Sequence, residues 1–200
     1  MEIPNLSLTP WVIPAAAIIY GLIHSLMASI GFKRLVEGIF GDPAKRYYRL
    51  IYSTLSVLLL LPVLAIPVLI PDTPLYTIPA PYVYLTSAVQ LLSVGLLAYS
   101  VIQTGALQFI GLRQAFGLKA NDQLNTGGLY RFVRHPLYTF SIVFLWLTPI
   151  MTVNMAMLYG TFTLYMLIGA IFEERKLLEQ FGEPYRAYRA KTPFIIPFII

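Results

Sequence analysis

Hydrophobic positions in this chain form long, nearly unbroken runs, and the charged residues are pushed into short clusters between and after them. A membrane-spanning helix needs roughly 20 mostly apolar residues. Five segments come to about that length: Trp11 to Gly31, Leu50 to Ile70, Tyr82 to Ile102, Pro136 to Val153 and Asn154 to Phe172. The fourth and fifth meet at the tripeptide TVN, which predicts a tight antiparallel hairpin. Between the second and third lies PDTPLYTIPAP, too rich in proline for a helix. The pattern predicts an all-α polytopic integral membrane protein. It would be a single domain over 1–200 with five transmembrane helices and a cytoplasmic C-terminal helix.

Composition supports the same class. Hydrophobic residues make up 58% of the chain, charged residues 12%, and mean hydropathy is +0.71. A soluble protein of 200 residues could not cover so much apolar surface. The first apolar run follows an acidic segment without a basic flank, so it is expected to be retained rather than cleaved. There is no cysteine, which excludes disulfides, thiolate zinc sites and cysteine nucleophiles. No metal site is expected.

Charge then sets the orientation. Lys33, Arg34, Lys45, Arg46 and Arg49 lie in the first loop, and Arg113, Lys119, Arg131 and Arg134 in the third. Arg175, Lys176, Arg186, Arg189 and Lys191 follow the fifth span, which places all 14 basic residues on one side. The opposite side carries Glu2 and Asp72. By the positive-inside rule the N-terminus is outside and the C-terminus cytoplasmic, with a prokaryotic cell membrane the expected setting. The net charge of +5 is therefore a topology signal, and nucleic acid is not an expected partner.

The cytoplasmic face also holds most of the polar chemistry. In RFVRHPLYTF, residues 131–140, Pro136 suits the first turn of a helix and His135 falls at its N-cap. A helix start favours anions, and Arg131 and Arg134 add charge. Descending one helix and returning along the next takes about 18 residues each way, roughly 27 Å. Glu173 and Glu174 should therefore return to the level of Arg134 and His135. Carboxylates at the membrane boundary are costly unless paired or used. The simpler readings are a membrane anchor for Arg134, solvated partners of Arg131 or Arg175 for the glutamates, and aromatic-belt positions for Tyr130, Tyr138, Tyr185 and Tyr188.

Taken together, GGLYRFVRHPLY, a hairpin and EERKLLEQFGEPYRAYRAKTPFIIP resemble the membrane-embedded methyltransferase superfamily. This includes isoprenylcysteine carboxyl, phospholipid and methanethiol S-methyltransferases. The core resemblance covers 126–197. HSLMAS, FKR, YYRLIYS, FIGLRQAFG and FLWLTPIMTVN extend it toward the methanethiol S-methyltransferase and NnrU-type branch. The resemblance implies that S-adenosylmethionine binds at Tyr130, His135, Pro136, Tyr138, Glu173 and Glu174, leaving S-adenosylhomocysteine as product. Arg134, His135 and Glu174 are the residues it implies for the chemistry. Prenylcysteine enzymes carry an arginine about one turn before the acidic pair, where this chain has Gly169 and Ala170.

The expected acceptor is small or lipid-soluble, first a thiol and then a phospholipid or prenylcysteine; a non-catalytic accessory protein is the competing class. His24, inside the first span, is a substrate-site candidate alongside Gln114 in the third loop. The simpler reading of His24 is a neutral imidazole bonded to Ser25 or a neighbouring helix. Gln90, in the third span, is a further polar residue at membrane depth.

Overall fold

The computed structural model describes residues 11–118 and 123–197, so Glu2 and Lys119 lie outside the described residues. Helix α1 (Val12–Ala28) stops where Ser29 turns extended, at ψ 145°. The Ser29 hydroxyl accepts the Phe32 N–H (3.2 Å), capping α2 (Ile30–Phe40), and the two helices meet at a 60° bend. Helix α3 (Asp42–Leu69) is 28 residues long and begins eight residues before the apolar run, with Asp42 and Pro43 in its first turn. Those residue types suit a helix start. Lys45, Arg46 and Arg49 are therefore helical. Arg46 Nε donates to the Ala115 carbonyl (2.7 Å) and Arg49 Nε to that of Phe109 (3.4 Å).

Helix α4 (Tyr82–Gln103) leads into two short turns, α5 (Ala106–Phe109) and α6 (Leu112–Ala115). Between them Gly111 has φ +88°, and a Cβ there would sit 2.4 Å from the Leu50 backbone nitrogen. A glycine at this point lets the turn lie directly on α3. After it come a 3-10 turn (Gly128–Arg131), α7 (Pro136–Trp146), α8 (Val153–Phe181) and α9 (Glu183–Arg189).

Two expectations meet a different geometry. The fourth apolar segment forms only an 11-residue helix, about 16 Å long at 1.5 Å per residue. Pro149 lies inside that run and disfavours helix at the residue before it. The chain continues instead as β2 (Ile150–Thr152), antiparallel to β1 (Pro74–Thr77), so the fold carries a small sheet and the hairpin turn is longer than TVN. The sheet satisfies backbone groups that would be costly in hydrocarbon. Buried Asn154 supports it by donating to the Pro71 carbonyl (3.1 Å), while Gln90 Nε2 donates to the Phe144 carbonyl (2.9 Å) near the end of α7.

Among the described residues, α3, α4 and α8 are long and apolar enough to cross a membrane, and bent α1–α2 makes a fourth if counted as one span. The chain is an integral membrane protein. Ile13, Ala17, Val63 and Leu158 pack where α1, α3 and α8 meet. Many large hydrophobics remain exposed, including Leu22 and Val68, as a lipid-facing surface requires.

Candidate active site

Helices α7 and α8 run antiparallel. The Tyr138 hydroxyl donates to Glu173 Oε2 (3.0 Å) at one end, and Trp146 Nε1 donates to Thr163 Oγ1 (2.9 Å) at the other. The helical-rise argument therefore places the acidic pair correctly. Glu173 and Glu174 come back to the level of Arg134 and His135, although α8 is much longer than expected. Good helix formers after Phe172 carry it on to Gly182, whose φ of +59° ends it.

The two carboxylates have different surroundings. Glu174 is buried, with Arg134 Nε on Oε1 (2.5 Å) and Arg189 Nε on Oε2 (3.3 Å). Arg134 also donates to the Arg189 carbonyl (3.0 Å) and to that of Thr192, and its guanidinium lies 5.4 Å from the Phe194 ring centre. Its Nε and Nη1 are thus engaged by protein groups. Glu173 has a side chain 48% exposed, with Tyr138 as its hydrogen-bond donor.

A segment to which the sequence argument gave no role of its own explains the difference. Residues 189–195 lie across the start of α7 as a strap. The Arg134 N–H donates to the Pro193 carbonyl (2.8 Å), the His135 N–H to that of Phe194 (3.3 Å), and Thr139 Oγ1 to that of Ile195 (2.7 Å). These carbonyls take the two N–H groups just before α7, and the first-turn N–H groups of Leu137 and Tyr138 are not among their donors. Main-chain acceptors leave no mark in residue type, and the hydroxyl of Thr139 is the one side chain here that could have signalled them. Tyr185 was read as a belt residue, yet it is buried at 1% exposure. Burial, and then the charge of Glu174, pushes its hydroxyl pKa up.

His135 sits between the carboxylates. Its Nδ1 is 3.8 Å from Glu173 Oε2 and its Nε2 is 3.5 Å from Glu174 Oε1, while Nε2 is buried without a hydrogen bond. The ring stacks on Tyr138 (5.5 Å, 22°) and meets the edge of Phe194 (5.2 Å). Burial holds its pKa below the usual imidazole value of 6.5, partly offset by Glu173 and Glu174. A depressed folded-state pKa contributes stability above the unfolded value, and that contribution is lost as pH falls through the folded one. Thermal stability in detergent should therefore be level from pH 7 to about 8.5 and decline below about pH 6. In His135→Gln the acid-side decline should be shallower, as read by the midpoint of unfolding.

Tyr130 joins this group from the 3-10 turn. Its carbonyl accepts the Tyr188 hydroxyl (2.6 Å), and burial followed by the charge of Glu173 pushes its own hydroxyl up to about 12. Pro136 is buried as the first residue of α7. His24 and Gln114 lie elsewhere. Gln114 is on α6 against α3, with its Oε1 buried and unbonded. Both ring nitrogens of His24 have partners on α3, Ser56 and Tyr52, rather than Ser25. A recess of about 440 Å³, lined by Arg134, Ile171, Glu174, Leu178, Arg189 and Phe194 among others, flanks the ion pair. At 100° per residue its α8 residues lie about 100° or more around the helix from the stripe bearing Glu173.

The phospholipid methyltransferase family model matches residues 83–184, just over half of the chain. The chain belongs to the phospholipid methyltransferase family. Within that frame, methanethiol S-methyltransferase 1 of Bradyrhizobium diazoefficiens is 29% identical over 196 residues, covering 90% of this chain and 64% of the relative. Methanethiol S-methyltransferase 2 of the same organism is 31% identical over 188 residues, covering 90% and 70%. The protein-S-isoprenylcysteine O-methyltransferase of Schizosaccharomyces pombe is 32% identical over 129 residues, covering 50% and 52%. The chain thus spans about two thirds of the length of the Bradyrhizobium relatives. No solved structure gives a significant match.

Proposed function

We propose that this family member is a membrane methyltransferase that moves a methyl group from S-adenosylmethionine to a small or lipid-soluble acceptor, a thiol in the first instance. The carrying observation is the half-exposed Glu173 carboxylate, held by the Tyr138 hydroxyl at 3.0 Å with Nδ1 of His135 3.8 Å away. An anion framed by aromatic rings suits a ligand with a sulfonium and an ammonium group. When bound, the donor supplies a methyl group attached to positively charged sulfur. Glu173 would hold the ammonium or ribose hydroxyls, and the faces of Tyr138 and His135 would lie against the cation. Tyr130 and Pro136 would close the walls, within a methyltransferase core over 126–197.

Transfer from a sulfonium is an in-line displacement, and positioning two reactants in a dry site supplies much of the acceleration. Arg134 and Glu174 would act at a distance, by fixing the strap behind His135. The names of the Bradyrhizobium relatives favour a thiol, and the family description supports a phospholipid as the second reading. A prenylcysteine carboxylate finds no counter-charge at Gly169 or Ala170. The basic residues support a cytoplasmic site with the N-terminus outside, in a prokaryotic membrane.

The deciding experiment incubates the purified chain with labelled S-adenosylmethionine and, separately, ethanethiol, phosphatidylethanolamine vesicles and a farnesylcysteine derivative. Label should pass to ethanethiol. Transfer to the lipid alone would replace the thiol reading, and donor binding without any transfer would favour an accessory protein.

A further inference from the structure

A second polar cluster lies deeper in the bundle, on a line with the first. Tyr165, Gly169 and Glu173 fall at i, i+4 and i+8 on α8, one above another on a single face. Tyr165 meets α1: its hydroxyl is 3.0 Å from Ser25 Oγ, and a Cβ at Gly21 would touch its ring at 3.0 Å. Glu173 holds the Tyr138 hydroxyl. Gly169, between them, leaves a gap in the stripe. A Cβ added there would meet the Tyr138 hydroxyl at 3.9 Å and, outside its own helix, no other atom within 4 Å. This slot lies about 6 Å along α8 from each end group.

Beside Tyr165, one turn from the slot, His24 is locked in one tautomer. Ser56 Oγ spends its proton on the Tyr52 carbonyl (2.7 Å), so it accepts at its contact with His24 Nδ1 (3.0 Å). Nδ1 therefore carries the hydrogen, Nε2 is bare, and the Tyr52 hydroxyl must donate to it (2.7 Å). The Tyr52 oxygen keeps lone pairs for another donor. His24 ties Tyr52 to Tyr165, which stands one turn from the slot on α8. The His24 ring is 5.1 Å from that of Tyr52 and 6.2 Å from that of Tyr165. The other polar groups around the pair are Tyr20 on α1 and Arg49 on α3.

We propose that the slot at Gly169 takes the methyl acceptor and that Tyr52, backed by His24, removes its proton. The inference rests on the thiol reading above and assigns the base that reading lacks. At neutral pH a simple thiol is mostly protonated, while the thiolate is the nucleophile. As the thiol sulfur attacks the sulfonium methyl, its S–H proton passes to the Tyr52 oxygen, and the Tyr52 proton passes to His24 Nε2. A sulfur–carbon bond forms to the acceptor, the sulfonium–methyl bond breaks with its electron pair going to the donor sulfur, and imidazolium remains on His24. Tyr52 touches the acceptor. His24 is a positioning residue that acts through it, held by Ser56.

The test compares ethanethiol with 2,2,2-trifluoroethanethiol, whose electron-withdrawing group makes it the more acidic, and measures donor affinity by calorimetry. Tyr52→Phe should lower kcat with ethanethiol on the order of 10²-fold at pH 7, the usual scale of general-base catalysis. The loss should shrink below about tenfold with the fluorinated thiol and narrow as pH rises, while the donor Kd stays within twofold of wild type. His24→Gln should show the same pattern with a smaller loss. Ethanethiol turnover unchanged in both variants overturns the proposal but leaves the thiol reading standing. Equal losses with both thiols also overturn it. A wild type that binds donor and methylates no thiol overturns both.

Discussion

Glu173→Ala is expected to leave the protein folded and to raise the Kd for S-adenosylmethionine roughly 10- to 100-fold. A hydrogen bond to a charged group contributes about 1.5–3 kcal/mol, and each 1.4 kcal/mol is a factor of ten. Removing the carboxylate takes a charge from a cationic ligand and frees the Tyr138 hydroxyl, while the exposed position leaves no buried ion behind. Glu173→Gln should lose less, because it keeps an acceptor for Tyr138. Calorimetry on detergent-purified protein reads the effect, and thermal unfolding beside it should show a midpoint close to wild type. Affinity unchanged in Glu173→Ala would move the donor site away from this group.

Its neighbour should behave in the opposite way. Glu174→Ala leaves the nearly buried Arg134 guanidinium, 8% exposed, without its carboxylate and removes the tie to Arg189. Breaking a buried pair from one side costs about 3–5 kcal/mol, whereas replacing both members with apolar groups costs far less. Glu174→Ala should therefore unfold at a markedly lower temperature, and trypsin should cut at Arg189 and Lys191 well before it does so in wild type. Arg134→Met combined with Glu174→Leu should recover much of the loss. If Glu174→Ala keeps wild-type stability and protease resistance, the strap is held by its carbonyl bonds alone. On the expected outcome the adjacent glutamates are told apart by different measurements: Glu173 by affinity, Glu174 by unfolding.

The pairing of Arg134 and His135 with the acidic residues was legible in the sequence because helical rise is nearly invariant. Two antiparallel helices return a chain to a level that arithmetic can find. The strap was not legible, since Pro193, Phe194 and Ile195 contribute carbonyls that every residue possesses. For the same reason the main-chain acceptors of Arg134, the carbonyls of Arg189 and Thr192, could not be read from the sequence. The short α7 was hidden inside an apolar run, where hydropathy outweighs a single proline at position 149. His24 stood out as an ionisable residue at membrane depth. Its partners Tyr52 and Ser56 could not be read, because helix rotation about its own axis is set by packing rather than by spacing. Membership of the family was carried by side-chain motifs and so was visible from the start.

The unequal helix lengths also bear on the surrounding lipid. The apolar part of helix α3, 50–69, runs for about 30 Å, while α7 ends after 11 residues, about 16 Å, and hands over to a paired strand. The apolar girdle is therefore taller on one flank than on the other. A bilayer can meet such an object only by thinning beside α7 or by letting the whole molecule lean, and either response costs fractions of a kcal/mol per Å. Membranes of short-chain lipids should relieve that mismatch on the α7 flank, the same flank on which Tyr138 and Glu173 meet.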